Sequence, residues 1–179
     1  EENINRFLAD NAPLDIIKAV ANGETDKAQA VHRGIIDLGL SGLVIPENYG
    51  GLELNTLFAT VVAATLGSGT APVPFAGSYV MAPMAINLSG DENQKNNWLP
   101  KIAGGECVIG VGLSEYVGAR EDAGIEFSAG KLSGRSLFII DGKDADAYLL
   151  ANKSGELFIV ESSSPVSYTH LRAHETTSD

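Results

Sequence analysis

The hydrophobic period of this chain changes once, at Gly104-Gly105, and that change leaves few architectures open. Before it, apolar residues recur at helical spacing. Ile4, Phe7 and Leu8 share one face, and Pro13 suits the first turn of the next helix, where a missing N–H donor is harmless. Leu14, Ile17 and Ala21 continue that pattern to Gly23, and Ala28, Val31, Ile35 and Leu38 repeat it until Gly39, a C-terminal stop. Asn55 is placed to cap a helix carrying Phe58, Val61, Val62 and Leu66, closed by Gly67. A Gly/Pro/Ser loop over 67–74 then leads to an apolar helix with Phe75, Tyr79, Ala82, Ala85, Ile86 and Leu88. Asp91 stands three residues before Gln94, a loose capping box for a short helix anchored by Trp98 and Leu99. Pro100 is expected to end that helix, because residues before a proline are pushed out of helical geometry.

Past Gly105 the apolar runs shorten. Val108 to Leu113, Leu137 to Ile140, Ala147 to Ala151 and Leu157 to Val160 are bounded by turn residues, with reversals at Asp141-Gly142 and Ser154-Gly155. Their length and their β-branched or aromatic content favour strands. The fold expected is α+β: an all-helical domain over 1–105, then a small antiparallel β-barrel or sandwich over 106–164. Residues 165–179 follow a Ser-rich break and show no strand period. They read as a non-native tail, a translated cloning or sequencing adaptor, and stand outside the fold. On that expectation the natural protein continues beyond Ser164.

Composition removes several functions. Of 179 residues, 44% are hydrophobic and 20% charged, which argues against a largely disordered chain. A net charge of −11 argues against nucleic acid or an anionic membrane as partner, since phosphate binding needs clustered Lys and Arg. No stretch approaches the roughly 20 apolar residues of a membrane span. The opening Glu1-Glu2-Asn3 carries no basic and apolar leader, so a cytoplasmic location is expected. Cys107 is the lone cysteine, which excludes an internal disulfide and suits a small buried residue. His170 and His174 have i, i+4 spacing without an accompanying Cys, Asp or Glu cluster, so no metal site is expected. Gly50-Gly51 lacks the Lys-Ser/Thr pair of a phosphate loop.

Two segments resemble the acyl-CoA dehydrogenases. Residues 91–106, Asp-Glu-Asn-Gln-Lys-Asn-Asn-Trp-Leu-Pro-Lys-Ile-Ala-Gly-Gly-Glu, are similar to that family's D/S-E-x-Q-K-x-x-W-L-P-x-I-A-x-G-E. Residues 39–52, Gly-Leu-Ser-Gly-Leu-Val-Ile-Pro-Glu-Asn-Tyr-Gly-Gly-Leu, are similar to its G-L-x-G-L-x-I-P-E-x-Y-G-G-L. The resemblance implies an FAD enzyme that dehydrogenates an acyl-CoA thioester to the trans-2-enoyl-CoA. A carboxylate takes the α proton, and the flavin accepts the β hydride. The family's base lies in a carboxy-terminal helical domain, so no residue of this sequence is nominated as catalytic.

The resemblance also implies where flavin would lie. Residues 111–121 parallel the family's Y-x-V-T-E-P-x-A-G-S-D, which makes Val111, Leu113 and Ser114 cofactor-binding. Ser114 stands for a Thr whose hydroxyl bonds the flavin, and it keeps that donor and acceptor capacity. Glu115 matches, Tyr116 replaces the Pro, and Arg120 replaces a Ser that contacts substrate. Residues 134–142 parallel G-x-K-x-W-I-T-N-G, with Phe138 in place of the Trp that packs on flavin and Ile140 in place of the Thr that bonds it. Read from residues alone, Ser114 is an ordinary turn hydroxyl and Phe138 a core aromatic. The implied partners are acyl-CoA, electron-transfer flavoprotein or a similar acceptor, and further copies or a homologous subunit in an oligomer. Two other readings stay open: a non-catalytic subunit with weakened flavin contacts, favoured by Arg120 and Ile140, and a flavin oxidase of the same fold.

Overall fold

The computed structural model describes residues 1–113 and 124–163. Ser114 to Glu121 and the tail from Ser164, His170 and His174 included, lie outside the described residues. The chain divides into two compact units, Glu1–Cys107 and Val108–Asp179.

In the first unit, α1 (Glu2–Asn11), α2 (Leu14–Ala21) and α3 (Thr25–Asp37) follow the apolar spacing, with Ile4, Leu8, Ala19, Val31 and Ile35 buried. Leu14, Leu38 and Leu88 stand exposed at helix ends, where the apolar pattern overruns the buried face. Gly39 at φ 76° ends the run after α3. The chain then folds back on itself through short 3-10 turns at Leu40–Gly42 and Glu47–Tyr49. Three backbone bonds close this loop: Leu52 N–H to Gly42 O, Glu53 N–H to Ile45 O and Leu54 N–H to Leu43 O, each 2.9 Å. The strands of the loop meet at Gly51, where a Cβ would drive into the Ile45 carbonyl.

Asn55 caps α4 (Thr56–Ser68) through Oδ1, which accepts from Leu57 N–H at 3.0 Å and Phe58 N–H at 3.3 Å. The buried face of α4 is Ala59, Val62, Thr65 and Leu66, whereas Phe58 and Val61 are exposed. This corrects the expected face. With no charged residue among its 13, α4 offers no polar side by which sequence distinguishes in from out.

Residues Phe75–Met81 form a π-helical turn running directly into α5 (Ala82–Ser89), not one regular helix. Pro83, which lacks an N–H, enters the first turn of α5 where the wide turn ends. Helix α6 (Glu92–Ala103) opens on both arms of a capping box, Gln94 N–H to Asp91 Oδ1 at 2.8 Å and Asp91 N–H to Gln94 Oε1 at 2.9 Å. Contrary to expectation, Pro100 lies inside this helix. Its ring faces solvent, so it removes one backbone bond without burying an orphan acceptor, and Trp98, Leu99 and Ile102 hold the same turn in the core. Ser41 Oγ donates to Ala103 O at 2.7 Å, tying the end of α6 to the folded-back loop.

The second unit contains β1 (Ile109–Gly112), β2 (Gly124–Ser128), β3 (Lys131–Arg135), β4 (Ala147–Ala151) and β5 (Leu157–Glu161). One sheet has the order β1-β4-β5; β2 and β3 form a separate hairpin. The α+β class holds, but β1 and β4 pair parallel, from Ile109 opposite Ala147 to Gly112 opposite Leu150, so the expected all-antiparallel module is corrected. Among the described residues there is no closed barrel. Strands β4 and β5 pair antiparallel across a turn organised by Asn152, whose Oδ1 accepts from Ser154 N–H at 3.0 Å and Glu156 N–H at 2.9 Å. Asp146 Oδ2 accepts from Val108 N–H at 2.8 Å and fixes the parallel register at its start.

The run Leu137 to Ile140 is not a strand. Ile140 forms an isolated bridge with Val111, and Phe138 at φ 54° breaks the extended geometry of the run. The hairpin β2–β3 replaces it in the topology; its polar and glycine-containing sequence gave no apolar run to find.

Gly51→Ala is expected to lower the stability of the helical unit by about 2–3 kcal/mol, since the obstructing atoms are backbone. Gly67→Ala, on α4 with open space around it, is expected to raise it by about 0.5 kcal/mol. Urea unfolding followed by helical circular dichroism compares the two.

Candidate functional site: an aromatic strap over strand β1

Gly110 and Gly112 alternate with Val111 along β1, so both lie on one face and Val111 on the other. Val111 is 1% exposed. Its N–H donates to Ile140 O at 2.8 Å, and its O accepts from Ile140 N–H at 2.9 Å. Val111 therefore sits behind the surface and holds Ile140 by both backbone groups. Residues 136–142 cross the glycine face as a strap. A Cβ on Gly110 would lie 2.8 Å from Gly142 Cα and 3.0 Å from Ile139 Cγ2. One on Gly112 would meet Ser136 Oγ and lie 3.4 Å from Ile139 Cγ1. Ile139 thus reaches both vacated positions, sharing that space with Tyr148 at Gly110 and with Ser136 and Leu150 at Gly112.

The residues on either side of Ile139 are open. Phe138 is 75% exposed and Ile140 41%. That overturns the core-aromatic reading of Phe138. A left-handed backbone at a bulky residue is uncommon, and here it turns the ring outward instead of into the core. Leu113, half-buried, is the last described residue before Ser114 and Arg120, both of which lie outside the described residues. The structure thus brings Val111, Phe138 and Ile140 together.

A flavin's planar tricyclic ring needs apolar surface to stack on and hydrogen-bond donors at its edge. Phe138 and Ile140 meet the first demand, with an exposed aromatic and an aliphatic side chain on one strap. Ile140 does not meet the second: its backbone groups are occupied by Val111 and its side chain is hydrocarbon. The described residues fit the face of the ring and leave its edge to residues beyond them.

Among the polar contacts of the helical unit that sequence reasoning missed, one joins α3 to the π-helical turn. His32 on α3 hydrogen-bonds through Nε2 to the hydroxyl of Tyr79, with the rings stacked at a centroid separation of 5.8 Å. Tyr79 is fully buried, and burial pushes the His32 pKa below its ordinary value. The available signal was His32 lying beside Val31, on a helix whose apolar face is buried. In the β unit, burial and then the nearby Asp144 carboxylate push Tyr148 above the usual tyrosine value. Among the described residues no helix is long and apolar enough to cross a membrane, and no cluster of three His, Cys, Asp or Glu residues could hold a metal.

The comparisons with known proteins bear on this geometry. Residues 1–106 match the family model of the acyl-CoA dehydrogenase N-terminal domain. The chain belongs to the acyl-CoA dehydrogenase family. Isobutyryl-CoA dehydrogenase of Dictyostelium discoideum is 29% identical over 133 residues, covering 70% of this chain and 32% of that protein. The very long-chain specific acyl-CoA dehydrogenase of Homo sapiens is 33% identical over 169 residues, covering 86% and 24%. An acyl-CoA dehydrogenase from Bacillus anthracis, solved in complex with FAD, superposes with TM-score 0.73 at 25% identity, covering 90% of this chain and 30% of that one. The chain thus spans well under half the length of these relatives.

Unfolded histidine takes up its proton near pH 6.5, whereas folded His32 takes it up only at lower pH. Between those values the unfolded state holds more protons, so stability falls as pH drops. The stabilisation is complete above about pH 6.5. Urea midpoints measured from neutral towards acid pH are expected to fall for the wild type, with a shallower fall in His32→Gln.

Proposed function

We propose that this chain supplies the amino-terminal helical unit and the first part of the flavin-facing β unit of an FAD-dependent acyl-CoA dehydrogenase. The reaction is α,β-dehydrogenation of an acyl-CoA thioester to the trans-2-enoyl-CoA. The observation that carries the reading is the family match over residues 1–106 followed directly by β1 and its exposed Phe138–Ile140 strap. FAD, when bound, accepts the hydride from the substrate's β carbon.

The roles of this chain's own residues follow from their positions. Phe138 and Ile140 offer apolar surface to one face of the flavin ring and exclude water there. Val111 holds Ile140 in place through two backbone bonds. Leu113 and Ser114 are assigned to the ring edge, with Ser114 as a hydroxyl donor. Arg120 is assigned to substrate, where its guanidinium suits an anionic or carbonyl oxygen. The proton-abstracting carboxylate is assigned to a carboxy-terminal domain of the intact protein, and electron-transfer flavoprotein or a similar carrier is the proposed acceptor.

A second reading rests on Ile140. Without a hydroxyl there, the ring loses one hydrogen bond, about 0.5–1.5 kcal/mol net. A non-catalytic subunit that completes a hetero-oligomer would tolerate such a loss. On that term alone flavin affinity falls by about tenfold at most, so dehydrogenation remains the favoured function.

Protein purified from the intact gene is expected to be yellow and to release FAD on denaturation. A colourless protein that takes up no FAD would point to the non-catalytic subunit. Ile140→Thr is expected to tighten FAD binding by up to about tenfold, measured by titrating apoprotein and following flavin fluorescence.

A further inference from the structure

We propose that Gly110, Gly112 and Ile139 are positioning residues for the flavin face: a two-glycine hole in β1 seats Ile139 and thereby sets Phe138 and Ile140 outward. The inference rests on the flavin reading above and adds residues that touch neither ring nor substrate.

Residues two apart on a strand share a face, so two glycines at 110 and 112 remove two adjacent side chains from it. Ile139 is the side chain that reaches both vacated positions, with Cγ2 near the missing Cβ of Gly110 and Cγ1 near that of Gly112, while Tyr148 and Leu150 of β4 wall the same space. Ser136 and Gly142 approach the same strand on either side of that side chain. Ser136 is itself 6% exposed. The strap is therefore docked at three points, 136, 139 and 142, and pinned by the paired bonds between Ile140 and Val111. With Ile139 inward, its two neighbours are the residues left open to solvent. With Ile139 seated, the left-handed backbone at Phe138 turns that ring outward, and the bridge to Val111 fixes Ile140 beside it.

A side chain at Gly110 cannot be accommodated by a rotamer change, because its nearest neighbour, 2.8 Å away, is the Gly142 backbone. The strap must lift. Binding sites need their contact groups held to within about 0.5 Å, so a lifted strap loses its grip on a rigid planar ring.

The test is a double-mutant cycle in protein from the intact gene, read by FAD titration and by amide exchange in the apoprotein. Gly110→Ala is expected to weaken FAD binding about tenfold and to speed exchange at the Val111 and Ile140 amides. In a background of Phe138→Ala and Ile140→Ala, the same substitution is expected to change FAD affinity by less than about twofold, because the residues it acts through are gone. Gly67→Ala, which belongs to the helical unit and not to the β unit, should leave FAD binding unchanged. An equal loss in both backgrounds, or unchanged affinity in Gly110→Ala, overturns the proposal. Should Gly110→Ala fail to fold, Ile139→Ala empties the hole instead of overfilling it and carries the same cycle. Wild-type protein that takes up no FAD overturns the flavin reading itself, and this proposal with it.

Discussion

The helical unit depends on one close approach of backbone to backbone, at Gly51. There the loop between α3 and α4 doubles back until the Gly51 Cα leaves no room for a side chain against the Ile45 carbonyl. Three backbone bonds hold that approach, and Leu40, Leu43 and Ile45 face the core because of it. Ser41, fully buried, then presents its hydroxyl to the last carbonyls of α6, one of the groups a helix end leaves without an internal partner. The docking of α6, and with it the point at which the chain leaves the bundle, follows from the shape of that loop.

The β unit uses absent side chains in another way. At Gly51 the missing Cβ lets two backbones meet. At Gly110 and Gly112 it makes a receptacle for the side chain of Ile139. The first device closes a loop, and the second orients its neighbours. Both are cheap in apolar area and strict in geometry, which is why small changes at either place have disproportionate effects. Phe138 and Ile140 stand exposed on the strap, the placement that the proposed flavin contact requires.

Much of this was legible from residues alone. The helices appeared because apolar spacing, caps and glycine stops agree in α1, α3 and α6. The face of α4 was not legible, because a charge-free helix has no polar marker to contrast with its buried side. The π turn at Phe75–Met81 was hidden because its composition is that of a helix, and Pro100 misled because an exposed proline near a helix end costs less than one inside the core. In the β unit, strands with apolar runs were found, whereas the polar hairpin β2–β3 was not. Parallel pairing of β1 and β4 was out of reach for a different reason: a strand's residues report which face is buried, not the direction of its neighbour. At the candidate site, the resemblance named Phe138 and Ile140, whereas nothing in the motif marked Ile139, whose approach to Gly110 and Gly112 appears only in the geometry.

The central place of β4 has a consequence for how the β unit assembles. Its antiparallel partner β5 arrives after a turn of a few residues, and β2 finds β3 just as locally. Its parallel partner β1 lies 38 residues earlier along the chain, at Ile109 opposite Ala147, so that junction closes a long loop. Loop-closure entropy orders these events: the two hairpins zip first, and β1 joins a template already formed. The strap can seat only once β1 is in place. Any agent that captured the nascent β1 would therefore leave two finished hairpins and no platform between them.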